Sequence, residues 1–273
     1  MKKKIAILGS TGSIGKTTLD IVKKNKKDFQ IILLSTNKNI SKIIKQSREF
    51  NVKNIIVSSK YHFQILKKKN KDKGLKIYNS FDSLKKILVN KIDYSMCAIS
   101  GIEGLKPTYD IIKFTKNIGI ANKESIVCGW SLINNEIKKN KTNFIPIDSE
   151  HFSIWSLVKN DIHKINEIIL TASGGPFLNK SKKFISRAKP KDALKHPNWS
   201  MGQKISIDSA TMMNKVFEVI EAKKIFNLNQ KKFKILVHPK SYIHAIVKYE
   251  NGLIKMLAHD TNMNIPIFNF LYH

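Results

Sequence analysis

Two carboxylates stand two residues apart in the stretch FIPIDSEHFSIW, Phe144 to Trp155, inside an otherwise apolar run. They are Asp148 and Glu150, with Ser149 between them and His151 following. If the preceding strand continues through them, the two-residue repeat of a strand puts both acids on one side. Hard carboxylate oxygens favour Mg2+ or Mn2+ over zinc. Two acids rarely complete such a site, so a third ligand is expected from elsewhere in the chain. The competing reading is a turn or helix cap at the end of a strand. In SATMMNKVFEVIE, Asn214 and Glu218 are four residues apart and share a helix face, with Lys215 adjacent. Taken alone, Glu218 reads equally as a solvated helix glutamate.

A second chemistry is phosphate binding. IAILGSTGSIGKTTLDIV places Gly9, Gly12 and Gly15 between an apolar run and a helical pattern. Small residues there let the backbone approach a pyrophosphate, and the helix N-terminus adds N–H groups and a favourable dipole. The spacing is not the common dinucleotide form, and a purely structural glycine turn is the alternative. After the second apolar run, where a carboxylate would select a 2′-hydroxyl, the sequence is LLSTNKNI. Lys38 there suits a 2′-phosphate and points to NADP(H), against the reading of one more surface lysine. The string GKTT at Gly15–Thr18 lacks the glycine spacing of a P-loop, which argues against a kinase.

Three more segments could hold an anionic group. TASGGPF offers Ser173 and two glycines after a strand, and DSATMMNK offers Ser209 near a helix start ahead of Asn214 and Lys215. KHPNWSMG joins His196, Trp199 and Met201 in a loop punctuated by proline and glycine. A lid closing over a ligand would explain a loop tryptophan; docking on the domain is the plainer account. His238 and His244, in or beside strands, read as structural. His151 is left without a role.

These residues need a frame. Apolar runs at Lys4–Leu8, Gln30–Ser35, Asn54–Val57, Asp93–Ile99, Ile118–Ala121 and Asn143–Ile147 alternate with helical patterns such as TTLDIVKK and SLKKILVN. That alternation predicts a parallel sheet with helices on both faces, and the unbroken runs predict strands covered on both sides. After about residue 150, EIILTASGGPF reads as a strand entering a glycine turn, KPKDALKHPNWSMGQ as a loop and SATMMNKVFEVIEAKKIF as one helix. SYIHAIVKYENGLIKMLAH alternates around Asn251-Gly252, a hairpin signal. The expected fold is therefore α/β: a Rossmann-like doubly wound parallel sheet followed by an α+β region.

Composition bounds the rest. The chain has 273 residues, an apolar fraction of 42% and a net charge of +29. Arg48 and Arg187 are the only arginines and the lysines are scattered, which fits compositional bias better than a nucleic-acid surface. No apolar run approaches the roughly 18–20 residues of a spanning helix. The basic N-terminus precedes only the short run Ile5–Leu8, which reads as a first strand rather than a signal peptide. Cys97 and Cys128 form no metal-type pair and are expected to fill the core of a cytoplasmic protein.

Taken together and in order, GSTGSIG, ANKES, PIDSEH, TASGGPF, HPNWSMG and SATMMNK resemble the 1-deoxy-D-xylulose 5-phosphate reductoisomerase family. The resemblance runs from Lys4 to about Pro266. It implies an NADPH- and divalent-metal-dependent isomerisation and reduction of that sugar phosphate to 2-C-methyl-D-erythritol 4-phosphate, in isoprenoid precursor biosynthesis. It implies that Thr11, Gly12, Ser13 and Ile14 cradle the pyrophosphate, that Lys38 and Asn39 face the 2′-phosphate, and that Asn122, Glu124 and Gly202 touch the cofactor. Asp148, Glu150 and Glu218 match the family's metal ligands. Lys123, Ser149, Ser173, His196, Trp199, Ser209, Asn214 and Lys215 match substrate positions, Trp199 as a lid and Met263 as a further pocket residue. Lys123 and His196 join the metal ligands as the residues expected to act in the chemistry. The same resemblance implies residues 1–149 as the NADPH-binding domain, 150–273 as the catalytic and dimerisation domain, and a homodimer. It departs at Asn37, which replaces a glycine in a turn where Asn could adopt left-handed geometry. The family's C-terminal helical domain is expected to be absent from this chain.

Overall fold

The computed structural model describes residues 1–158, 164–199 and 202–273. The chain forms two compact units, Met1–Ile147 with Ile267–His273, and Asp148–Pro266. The returning C-terminal segment sits with the first unit, whereas the sequence division kept 150–273 together.

The first unit alternates β1 (Lys3–Leu8), α1 (Ser13–Lys24), β2 (Phe29–Thr36), α2 (Ile40–Glu49), β3 (Asn54–Val57), α3 (Lys60–Lys69) and β4 (Lys76–Tyr78). It continues through α4 (Leu84–Ile87), β5 (Ile92–Cys97), α5 (Leu105–Ile111), β6 (Thr115–Ile120), α6 (Lys123–Asn140) and β7 (Asn143–Pro146). All seven strands are parallel, in the order β4-β3-β2-β1-β5-β6-β7. The order reverses between β1 and β5, which makes their carboxyl ends the switch point where such sheets bind ligands. Ile5, Ala6, Ile7 and Leu8 are wholly buried, as a central strand covered on both faces requires. Burying each large side chain contributes roughly 1.5–3 kcal/mol.

The short edge strand β4 has no apolar run to announce it. SLKKILVN, expected as a helix, keeps only the single turn of α4, because buried Leu88 leaves the helix to enter the core. Cys97 is buried but Cys128 is exposed on α6, so the core-filling expectation fails for Cys128. Asn37 is not among the positive-φ residues, so that turn uses no left-handed geometry there.

The second unit comprises α7 (Ser149–Val158), β8 (Ile165–Ala172), α8 (Lys182–Ile185), α9 (Pro190–Ala193), α10 (Gln203–Ala210), α11 (Met213–Phe226), β9 (Phe233–Val237), β10 (Ile243–Tyr249) and β11 (Ile254–Ala258). Helix α12 (Asn264–Leu271) follows and returns the chain to the first unit. The four strands are ordered β11-β10-β8-β9; β10 is antiparallel to both β11 and β8, and β8 is parallel to β9. The Asn251-Gly252 hairpin therefore forms as the alternation predicts, with Gly252 at φ 85°. Ile154, Ile165, Ile168, Leu170, Ala222, Ala245 and Val247 form a fully buried core between this sheet and helices α7 and α11.

Three expectations change here. β7 ends at Pro146 and the chain turns into α7, so Asp148 and Glu150 do not lie on a strand. The single helix expected over Ser209–Phe226 is two, broken where Met212 adopts φ 60°. Part of the expected loop before it, KPKDALKHPNWSMGQ, is helical in the single turn of α9.

Candidate active site

In the first unit the glycine turn joins β1 to α1. Gly9 has φ 85°, and a Cβ there would lie 2.6 Å from the carbonyl oxygen of Ala98 after β5. Only glycine lets the turn lie this close to the switch point. Around it, Gly9 N donates to Ser35 Oγ at 2.9 Å and Thr11 Oγ1 meets Thr36 Oγ1 at 2.8 Å. Gly12 is the N-cap of α1 and supplies no side chain to its first turn, which also carries no acidic residue. The N–H groups of Ser13 and Ile14 thus begin a helix with nothing negative beside them.

Beyond β2, Lys38 is exposed, and Asn39 caps α2 by accepting from Lys42 N at 3.1 Å. Asn122 caps α6, accepting from Ser125 N at 2.5 Å, and donates to the carbonyls of Ile99 and Gly101. Both ends of that amide are engaged inside the fold, so a cofactor could reach Asn122 through its backbone alone. Lys123 is 8% exposed and opens α6, with Glu124 half-buried behind it.

In the second unit the acids converge. Asp148 begins α7: its backbone carbonyl accepts from Phe152 N at 2.8 Å and its Oδ1 from Glu150 N at 3.3 Å. One oxygen from each of Asp148, Glu150 and Glu218 lies within 4.8 Å of the others. A helix N-terminus, not strand alternation, brings the first two together, and α11 supplies the third. Glu218 is 1% exposed, so it is not a solvated helix glutamate. Lys215, 4% exposed, places Nζ 3.1 Å from Glu150 Oε1 and also pairs with Glu218. Burial opposes the charge on Lys215, but the carboxylates of Glu150 and Glu218 outweigh it and raise its pKa. Asn214 donates to Glu218, and Ser149 Oγ donates to Glu150 Oε2 at 2.6 Å.

His151, left without a role by the sequence, is fully buried and spans the cluster. Its Nε2 donates to the backbone carbonyl of Glu218 at 2.9 Å, and its Nδ1 lies 3.3 Å from Asp148 Oδ1. Nothing in its spacing distinguishes it from a core histidine, because the contact joins residues far apart in the chain. Glu221, 1% exposed on α11, is another buried acid that the sequence did not single out.

A second group forms around Ser173. His196 Nδ1 accepts from the backbone N–H groups of Asn198 and Trp199, at 3.2 and 3.0 Å. That assigns the proton to Nε2, which donates to Ser173 Oγ at 3.0 Å. Burial lowers the pKa of His196 and favours this neutral form. Ser173 Oγ also accepts from Gly175 N at 3.1 Å, which leaves its O–H as a donor. Gly175 has φ 68°, and a Cβ there would come within 2.7 Å of Ser209 O. Ser209 therefore sits in the last turn of α10, not near a helix start, with the glycine turn against it. Trp199 is half-buried with its ring 6.0 Å from that of His244. Gly202 caps α10 and Met263 is half-buried before α12. Met201 lies outside the described residues.

The model of the 1-deoxy-D-xylulose 5-phosphate reductoisomerase family matches residues 5–129, and that of the same family's C-terminal domain matches residues 144–226. The chain belongs to this family. The reductoisomerase of Pelagibacter ubique is 64% identical over 273 residues, covering 99% of this chain and 70% of the relative. That of Caldanaerobacter subterraneus is 42% identical over 266 residues, covering 97% and 69%. A reductoisomerase crystal structure in complex with NADPH, fosmidomycin and magnesium superposes with a TM-score of 0.92 at 37% identity, covering 99% of this chain and 70% of that one. The Zymomonas mobilis reductoisomerase in complex with NADPH gives 0.88 at 35% identity, again with 99% and 70% covered.

The reductoisomerase chemistry can be tested against the residues present. Three carboxylates and the Lys215 ammonium leave a formal charge of two negatives in a mostly buried space. A hard divalent ion balances that charge and suits that donor set. The turn at Gly9–Ile14 fits a dinucleotide, since a Cβ at Gly9 would fill its approach to the switch point. No helix among the described residues is long and apolar enough to cross a membrane.

Proposed function

We propose that this chain converts 1-deoxy-D-xylulose 5-phosphate to 2-C-methyl-D-erythritol 4-phosphate, using NADPH and Mg2+ or Mn2+. The cluster of Asp148, Glu150 and Glu218 with Lys215 carries the reading, because three acids held together and largely withdrawn from water are costly without a cation. When bound, the divalent ion supplies Lewis-acid polarisation of the substrate's oxygens and NADPH supplies the hydride. Asp148, Glu150 and Glu218 would hold the metal. His151 keeps Asp148 and the Glu218 backbone in register, a positioning role. Lys215 and Asn214 orient Glu150 and Glu218, and are placed to meet an oxygen-rich substrate with the same atoms.

Ser173, Ser209 and the neutral His196 offer hydrogen-bond donors to a phosphate or hydroxyl group. Ser149 reaches the site through Glu150. Lys123, an almost wholly desolvated ammonium, is suited to stabilising the enolate that carbon–carbon cleavage and rejoining passes through. Thr11, Gly12, Ser13 and Ile14 would hold the pyrophosphate and Lys38 and Asn39 the 2′-phosphate, with Asn122, Glu124 and Gly202 completing the cofactor contacts. Trp199, now docked on His244, would swing over the substrate and exclude water. The unit of Met1–Ile147 with Ile267–His273 acts in NADPH binding and that of Asp148–Pro266 in catalysis and dimerisation, in the cytoplasm.

The finer proposal on assembly is a homodimer. The two edge strands of the smaller sheet expose apolar side chains: Ile235, Leu236 and Val237 on β9, and Ile254 and Met256 on β11. Unpaired edges of this kind favour association with a second copy.

The deciding experiment follows NADPH absorbance with 1-deoxy-D-xylulose 5-phosphate, with and without Mn2+, in the wild type and Glu150→Gln. Metal-dependent oxidation that disappears in the variant is expected. A folded wild type that oxidises no NADPH under any metal condition would sink the assignment.

A further inference from the structure

The dinucleotide half of the chain holds a like-charge contact that the roles above do not use. Helices α1 and α2 follow the neighbouring parallel strands β1 and β2 and so run in the same direction. Lys23 pairs with Glu49 at 2.6 Å near their C-terminal ends. Seven residues, about two helical turns, earlier in both helices, Lys16 and Lys42 occupy the corresponding positions, and the Lys16 amine is the main cause lowering the Lys42 pKa. One end of the pairing is an ordinary ion pair; the other joins two cations.

The cationic end is held in place. Gln46, one turn beyond Lys42, accepts from Ser10 Oγ at 2.8 Å and donates to Ser10 O at 2.9 Å. These buried bonds tie α2 to the glycine turn through its second half, one turn beyond Lys42. Among the described residues, no carboxylate is a cause of the shift at Lys42: the amine of Lys16 and burial both lower its pKa. Two ammonium groups about 4 Å apart repel by about 1 kcal/mol even in water. A dianion between them would turn that repulsion into two attractions.

We propose that Lys16 and Lys42 form a clamp for the 2′-phosphate of NADPH, acting with Lys38 to select NADPH over NADH. The inference rests on the NADPH reading above. Lys42 lies in the first turn of α2, just after the end of β2, where the 2′ substituent of a dinucleotide is met in this architecture. The pyrophosphate is expected at the Gly12–Ile14 turn instead. A phosphate monoester carries about −1.5 to −2 at neutral pH and so takes two cations.

The test titrates wild type, Lys16→Gln, Lys42→Gln and the double variant with NADPH and, separately, NADH, followed by nucleotide fluorescence without substrate or metal. Each single change should weaken NADPH about tenfold, the loss of one charge-assisted hydrogen bond, and leave NADH unchanged. Melting without nucleotide should stay level or rise, because the repulsion is relieved. Should a glutamine variant fail to fold, the paired Lys→Arg exchanges provide the comparison and should keep the preference for NADPH. Equal weakening of both nucleotides would assign the lysines to the shared pyrophosphate and overturn the proposal, as would unchanged NADPH affinity. A wild type that binds neither nucleotide would instead remove the NADPH reading itself.

Discussion

His151 Nε2 donates to the backbone carbonyl of Glu218 at 2.9 Å, tying the first turn of α7 to the middle of α11. Its other nitrogen lies 3.3 Å from Asp148 Oδ1, so one buried ring touches elements that carry two of the three acids. Residues that hold ligands in place are typically worth 10–100-fold in metal affinity. His151→Ala should therefore weaken Mn2+ by about that factor in calorimetric titration, while NADPH affinity stays the same. Unchanged Mn2+ affinity in a folded variant would reduce His151 to a core residue.

Lys215 offsets one of the three acidic charges when no divalent ion is bound. Removing one partner of a buried pair costs roughly 3–5 kcal/mol because the other charge is stranded. Lys215→Met should lower the melting temperature by several degrees in chelator, and Mn2+ should recover more of the loss than it adds to the wild type. A variant as stable as wild type in chelator would contradict the charge balance.

Gly9 and Gly12 should separate folding from cofactor approach. Gly9→Ala must adopt φ 85° and place a methyl 2.6 Å from Ala98 O, so a loss of at least about 2 kcal/mol in urea unfolding is expected. At Gly12 the nearest atom to a new Cβ, Gly9 O, is 3.4 Å away and φ is not positive, so Gly12→Ala should fold normally. It should nonetheless weaken NADPH, because the methyl caps the start of α1 where the pyrophosphate is expected. Normal NADPH binding by Gly12→Ala would move the pyrophosphate elsewhere.

His196 supplies a pH dependence. Burial lowers its folded pKa, so the unfolded chain takes up its proton first as pH falls. Its contribution to stability is complete above the ordinary histidine range and is lost as pH drops through about 6.5. The melting temperature of wild type should fall more steeply between pH 7.5 and about 5.5 than that of His196→Gln. Parallel slopes would show that the Ser173 contact tolerates the imidazolium.

Much of this protein is legible in one dimension. Ile5–Leu8 ends at Gly9 and a helical pattern follows, and that local order is enough to specify a strand, a tight turn and a helix start. Hydrophobic periodicity is a near-neighbour property, so the parallel sheet and the Asn251-Gly252 hairpin can be read from it. The motif order carried the family in the same way. Short or buried irregularities were not legible: β4 is three residues long, and Leu88 leaves its helix only because the core admits it.

The site shows the same division. The sequence by itself determined which residue types were available: three hard acids, an adjacent lysine and a glycine turn. Only the tertiary structure decided how they meet. Asp148 and Glu150 come together at a helix N-terminus after Pro146 stops the strand, Glu218 is buried rather than solvated, and His151 reaches it across 67 positions. Burial, charge balance and the contact between Lys16 and Lys42 depend on which elements pack side by side, and no local pattern in the chain encodes that.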